Sequence, residues 1–578
     1  MPLHAESEPM TDLSWLTVEQ CLDFFGADTY HEPVRLKRVL DATILWLNQW
    51  VASSDPCFTR IGGTIEDYER HLLSCCAFVV DESRQQNFEH VDTVIGYADR
   101  YGGSGIGNNG GSGRAAVING YLVKGIGRTR LVSSLTDLSH ASGGAYLEES
   151  VREAIYSEIV RAEFPHSAVP VLAIIDTGLF ETWNIAEGVK IERRILLVRP
   201  CFVRPAHFVR ATGFISDDPR EGSYDSLRVG ATFDILKEAL GYDALKTRYE
   251  TFWVSWAQQL AYAFAHRLPH GSDTISNISF DGKLLDFGAI SAVPSWADAA
   301  TMSQRQSFKA LSQLLLNLIS ATGIFFGRYV DPSYSTENGI SKIAEAVDFA
   351  FRRTLVCETL RLCGVERGDA EEVADGSDFE LLWEAVLQVV RYFQAERIDM
   401  VECTPPVRRL WDLEAVWDRD APPHLRQLNT ALLNLVPVGR HHEARERSSL
   451  LLATRENLFR EEAKRCIFTA VDPSAGGGEP NRLEIEQFIC QQLARGRRDH
   501  RMLVDGGIPV GFAVGNDASY VIFKENNGLG LFAQEEFNGG SLPISVGRRA
   551  IQSITANTIT FEGGTEPFFE GAIQLWPI

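Results

Sequence analysis

The spacing of apolar positions changes character along the chain. Residues 11–90 mix short helical patterns with turns, as in "SWLTVEQCLDFFG" and "VRLKRVLDATILWLNQWV". Residues 115–127, "AAVINGYLVKGIG", alternate as two strands joined by a turn do, because successive strand side chains face opposite sides. The stretch "GAYLEESVREAIYSEIVRAEF" (144–164) takes the helical period, with Leu147, Val151, Ala154, Ile155 and Ile159 on or near one face. "VPVLAIIDTG" and "KIERRILLVRPCFVRPAHFVRA" read as buried strands. Helical patterns dominate from about 226 to 268 and from 303 to 400, including "QSFKALSQLLLNLISATGIFF" and "DFELLWEAVLQVVRYFQAE". "VDPSAGGGEPNR" (471–482) combines Pro, Gly and Ser without periodicity and reads as a linker. Residues 500–578 are β-like and punctuated by glycine.

A β-rich block followed by an α-rich block predicts an α+β fold with two lobes facing a cleft. The divisions expected are a mixed helical N-terminal extension over 1–90, a β-rich lobe over 91–235, a helical lobe over 236–470, and a linker with a β-rich C-terminal region over 471–578. A chain of 578 residues has room for several such units.

Composition narrows the function classes. The net charge of −22 argues against a nucleic-acid surface, because phosphate backbones call for a basic footprint. The runs "AVPVLAII" (168–175) and "LSQLLLNLIS" (311–320) fall short of a membrane span, and the first residues show no apolar signal region. The ten cysteines form no CxxC pair, only the neighbours Cys75 and Cys76, so neither a zinc ribbon nor a disulfide framework is expected. Reduced thiols in a cytoplasmic protein, with no nucleic-acid or membrane partner, are the expectation.

Four pieces carry candidate chemistry. "RYGGSGIGNNGGSGR" concentrates glycine before Arg114, and flexible amides beside a guanidinium suit phosphate oxygens. In "YLVKGIGRTR", Lys124 ends an apparent strand; in "SVREAIYSE", Glu153 sits inside a helix. A strand lysine paired with a helix glutamate is how a kinase-like site holds its phosphate-binding lysine. Finally, "HGSDTISNISFDGKLLDFGAI" (270–290) places Asn277 and Asp286 across what reads as a tight strand pair, and an amide oxygen with a carboxylate can hold Mg²⁺. His270 reads as structural, bonding backbone near that carboxylate. His441 and His442 lie on a charge-rich, solvated stretch and are not expected to bind metal.

In this order the pieces resemble the selenoprotein O (SelO) family, pseudokinase-fold enzymes that transfer AMP from ATP to protein hydroxyls. The family runs through a GDGRA-type loop, a strand with LKG, a second DGRAV-type loop leading into SSIRE, an Arg- and His-containing segment, then HG…DN…DYG. Here these stand as "GSGRAA", "LVKGIGRT", "SGGAYLEESVREAIYSE", "VRPAHFVRA" and "HGSDTISNISFDGKLLDFG", over roughly residues 90–300. The resemblance implies a two-lobed protein-kinase-like fold with an N-terminal extension and a C-terminal β-rich appendage. It implies ATP and Mg²⁺ as cofactors and a protein or peptide substrate. Gly111, Gly113, Arg114 and Gly143 would contact the nucleotide, Lys124 its phosphates, and Glu153 would partner Lys124. Asn277 and Asp286 would hold the metal. Arg204 and Arg210 match two ATP-contacting arginines, with Arg199 as the alternative for one of them.

The chain also departs from that pattern. The family's Asp before the metal-binding Asn, thought to act as base, is Ser276, which cannot accept a proton near pH 7. Asp273 could substitute only after a loop rearrangement. The second DGR is Ser142-Gly143-Gly144. Three outcomes follow from the sequence: an AMP transferase with an altered catalytic position at Ser276, an enzyme that activates a carboxylate in peptide or natural-product modification of the microcin type, or a catalytically inactive ATP-binding pseudokinase that acts as a partner protein.

Overall fold

A computed structural model describes residues 31–80, 92–103, 109–137, 141–185, 188–216, 221–301, 305–408, 410–471, 480–498, 508–514, 519–525, 528–534, 545–561 and 564–575. The linker expected at 471–482 and the centre of the glycine-rich loop (104–108) therefore lie largely outside the described residues.

Eight antiparallel strands build the first layer: β1 (Glu32–Arg38), β2 (Thr43–Leu47), β3 (Phe78–Val80), β4 (Thr93–Arg100), β5 (Gly111–Ile118), β6 (Tyr121–Lys124), β7 (Ala173–Ile185) and β8 (Gly188–Pro200). Their order across the curled sheet is β2-β7-β8-β6-β5-β4-β1-β3. Three of these strands come from the segment expected to be a helical extension. The apolar spacing in "VRLKRVLDATILWLNQWV" is short enough to satisfy either period, and pairing with β4 and β7 decides for strands. The β5–β6 hairpin turns on Asn119 and Gly120, both at positive φ (49° and 88°), as a two-residue hairpin with the right twist requires.

Alternation along the sheet buries both faces. Ala115, Val117, Leu122, Ile174 and Leu197 pack with one core, Ala116, Ile118, Val123, Ile175 and Val198 with the other. Helix α1 (Ile65–Cys76) covers the second face with Tyr68, Leu72 and Cys76. Helix α2 (Leu147–Glu163) covers the first, with Val151, Ala154, Ile155 and Ile159 buried. It is buried nearly all round, because helices from the far end of the chain pack on its outer side.

The helical layer is organised by α3 (Tyr242–Ala265), α4 (Phe308–Tyr329) and α5 (Glu337–Leu362). An aromatic stack of Tyr249, Phe252, Phe280 and Phe326 joins α3 to α4 and to the loop that precedes Asp286. The run expected to fall short of a membrane span belongs to α4, which at 22 residues and a mean hydropathy of 1.5 over its most apolar window is long and apolar enough to cross one. Leu311, Leu315, Ile319 and Phe326 of that helix are buried in the core.

The chain then returns to the first layer. Helix α6 (Arg460–Val471) and helix α7 (Arg482–Gly496) both pack on α2. Arg482 donates to both oxygens of Glu69 on α1 (2.9 and 2.6 Å), and the Tyr156 hydroxyl donates to the Leu458 carbonyl at 2.8 Å. The β-like pattern after residue 500 forms a seven-stranded antiparallel sheet, from Ile508–Val514 to Ile573–Leu575, linked to α7 through Gln491 and the Glu570 carbonyl. Among the described residues no cysteine forms a disulfide.

Candidate functional site

Lys124 is the last residue of β6 and pairs with Ala115 on β5 and Leu197 on β8, so it faces α2. Two carboxylates one helical turn apart on α2 meet it: Glu149 Oε1 lies 2.7 Å from Nζ and Glu153 Oε1 lies 3.6 Å away. Glu153 is fully buried and holds Arg199 of β8 through its other oxygen. Arg199 also donates towards the Val169 carbonyl at 3.4 Å. The strand lysine and helix glutamate expected to pair do so, and Arg199 joins them.

Arg114 reaches the same cluster from β5. Its two terminal nitrogens grip Glu149 at 3.1 and 2.7 Å, and one also donates to the Gly144 carbonyl at 3.0 Å. Burial would push the Glu149 carboxyl up, but the adjacent guanidinium and ammonium hold it down at about 2. Glu149 had not been singled out in the sequence. Its position four residues before Glu153 was the available signal.

Asp286 sits at φ +62°, a left-handed conformation that Asp tolerates better than most side chains and that marks constrained sites. Burial would raise its carboxyl, yet the charges of Lys124 and Arg114, then His270 and Arg199, hold it well below the usual carboxylate range. The tight strand pair expected between Asn277 and Asp286 is an irregular loop with a single bridge, Ile278 to Leu284. Gly282 at its tip takes positive φ beside Ser255, which favours a turn over a ladder. The Leu285 amide donates to the Asn277 carbonyl at 3.1 Å, placing Asn277 beside the residue before Asp286. His270 Nε2 lies 2.9 Å from the Leu285 carbonyl, the structural role expected of it.

The donor set suits a hard cation. Asn277 spends its amide nitrogen on the Ser272 carbonyl and hydroxyl (3.0 and 3.1 Å), which turns the amide oxygen away from them. That oxygen and the Asp286 carboxylate are the ligand types that Mg²⁺ would take. Among the described residues no cluster of three or more His, Cys, Asp or Glu could hold a metal alone.

Gly111 and Gly113 belong to β5 itself. A Cβ on Gly111 would meet the Asp99 carbonyl at 2.1 Å, so the glycine permits a strand bulge against β4. Gly143, at φ +78°, lies against the Arg128 backbone, and its carbonyl accepts from Gly127 N at 3.0 Å; it shapes the turn into α2. Arg204 is buried between Tyr101 and Phe202 and donates to the Ser276 carbonyl at 2.6 Å, with Asp99 at 3.5 Å. It braces the Ser276–Asn277 segment from behind. Arg210 lies with Gly102, whose missing side chain makes room for the Arg210 carbonyl. The Ser276 hydroxyl shares a 2.8 Å bond with Thr274. His442 is exposed and lies 3.6 Å from Glu446, and His441 Nε2 lies 2.8 Å from the Val436 carbonyl.

Two arginines that the sequence did not flag clamp the Asp286 loop. Arg152 of α2 donates to the carbonyls of Phe287 (3.3 Å) and Gly288 (2.8 Å), and Arg460 at the start of α6 donates to Gly288 at 3.1 Å. The Asp286 loop is thus held from α2 and from a segment about 170 residues further on. No family model matches this chain, and no curated protein matches it in sequence.

Proposed function

We propose that the chain is an ATP- and Mg²⁺-dependent transferase with a protein-kinase-like, SelO-like fold, moving AMP from ATP to a protein or peptide acceptor in the cytoplasm. The observation that carries the reading is the joint placement of Lys124, Glu153, Arg199 and Asp286, with Asn277 one hydrogen bond away along the loop. Kinase-like transfer depends mostly on positioning and charge stabilisation, which this constellation is built to provide. Lys124 would neutralise phosphate charge, Glu153 would fix Lys124 and Arg199, and Asn277 with Asp286 would hold Mg²⁺, whose charge offsets that of the phosphates. Arg204 acts through the Ser276 carbonyl as a positioning residue.

A second reading is favoured by Ser276. Its hydroxyl bonds Thr274 and supplies no base, so an acceptor that is already ionised, such as a carboxylate, needs none. Incubation with α-³²P- or γ-³²P-ATP and Mg²⁺, with Asp286→Ala as control, separates the cases. Retained α label supports AMP transfer, retained γ label alone indicates a kinase, and pyrophosphate release without retained label indicates carboxylate activation. ATP binding without turnover leaves a pseudokinase, and no ATP binding refutes the site.

A further inference from the structure

The candidate site contains its own substitute for a phosphate. Three permanent cations (Arg114, Lys124, Arg199) face three carboxylates (Glu149, Glu153, Asp286), so these charges offset one another before any ligand arrives. The carboxylates are not equivalent. Glu153 is fully buried and locked between Lys124 and Arg199. Glu149 stands at the edge: its side chain is 18% exposed, and those of its partners Arg114 and Lys124 are 26% and 16% exposed. Its two oxygens take both terminal nitrogens of Arg114, and one also takes the Lys124 ammonium at 2.7 Å. A polyphosphate approaching the solvent-facing cations would find both in use. It would have to displace a carboxylate that presents the same bidentate, charge-assisted geometry.

We propose that Glu149 is a displaceable gate, an internal anion that occupies Arg114 and Lys124 until a nucleoside triphosphate takes its place. The proposal rests on the nucleotide reading of this site. The location of Glu149 in the first turn of α2 allows the exchange, because its side chain can swing towards solvent without disturbing the buried Glu153 below it. Phosphate would inherit the paired cations and the adjacent helix start, while the freed carboxylate would be solvated.

The test compares the full-length protein with Glu149→Gln and Glu149→Asp, each checked for folding by its melting curve. Calorimetric titration with Mg-ATP, and separately with inorganic tripolyphosphate, should show Glu149→Gln binding about tenfold tighter, or ~1.4 kcal/mol. Glu149→Asp, with the charge kept on a shorter arm, should fall between. Equal or weaker binding by Glu149→Gln overturns the gate and makes Glu149 a support for Lys124. A second readout needs no nucleotide: acylation of Lys124 by an amine-reactive ester, read by peptide mass spectrometry. It should rise severalfold in Glu149→Gln. If neither protein binds ATP or tripolyphosphate, the nucleotide reading falls, and with it a gate for nucleotide. Labelling would then show only whether the clamp on Lys124 exists.

Discussion

Replacing Glu153 by glutamine removes one negative charge from the most buried part of the site. Among the described residues Arg199 keeps a 3.4 Å contact to the Val169 carbonyl, with its side chain 5% exposed, and Lys124 loses the farther but fully buried of its two carboxylates. Stranding one partner of a buried ion pair costs about 3–5 kcal/mol. The glutamine oxygen can still accept a neutral hydrogen bond, roughly half as strong as a charge-assisted one, so about 2–3 kcal/mol is expected here. Urea unfolding followed by tryptophan fluorescence reads the loss as a lower midpoint at unchanged slope. The double variant Glu153→Gln/Arg199→Met should recover more than about 1.5 kcal/mol of it, because no unpaired charge remains. A loss for Glu153→Gln within about 0.5 kcal/mol of a surface control such as Glu345→Gln would refute the reasoning, as would additive losses in the double variant. Mg-ATP affinity of Glu153→Gln should fall at the same time, since Lys124 is less firmly held.

Three further outcomes are expected. Glu149 is ionised down to about pH 2 in the folded protein, below its unfolded value near 4.5, so its contribution is complete above that value and fades as pH falls towards 2; the stability gap between wild type and Glu149→Gln should be constant from pH 7 to 5 and shrink below, and a gap that widens in acid would contradict this. Gly143→Ala should destabilise by about 1–3 kcal/mol and weaken ATP binding, because its Cβ would lie 2.0 Å from the Arg128 nitrogen at a positive φ; an unchanged melt would show that the turn can relax. Arg460→Ala removes a clamp on the Gly288 carbonyl and should raise hydrogen exchange across residues 286–290 with little change in α6, whereas uniform exchange would mean that Arg152 alone holds the loop.

The C-terminal helices are therefore tied to the candidate site. Arg460 touches the loop of Asp286, Tyr156 bonds the Leu458 carbonyl, and α7 is anchored to α1 through Arg482 and Glu69. A segment lying outside the resemblance supports the residues inside it.

Much was legible in the sequence because it is local. The hairpin at Asn119-Gly120 follows from strand alternation and a left-handed turn, and helix 147–163 follows from its buried face. Lys124, Glu153, Asn277 and Asp286 could be named because their spacing within strand, helix and loop is a short-range property. Strands β1 and β2 could not be settled, since runs of five to seven residues fit two periods and their partners lie far along the chain. The choice of Arg199 as the partner of Glu153, with Arg204 set behind the loop, depends on where β8 ends in the sheet. Glu149 and Arg460 acquired roles only when α2 lay across β5 and β6 and when α6 folded back onto α2. Sequence alone determined the elements with a clear period and the residue types available to a candidate site. Packing between distant segments decided which charges meet, because an ion pair depends on distance in space and not on separation along the chain.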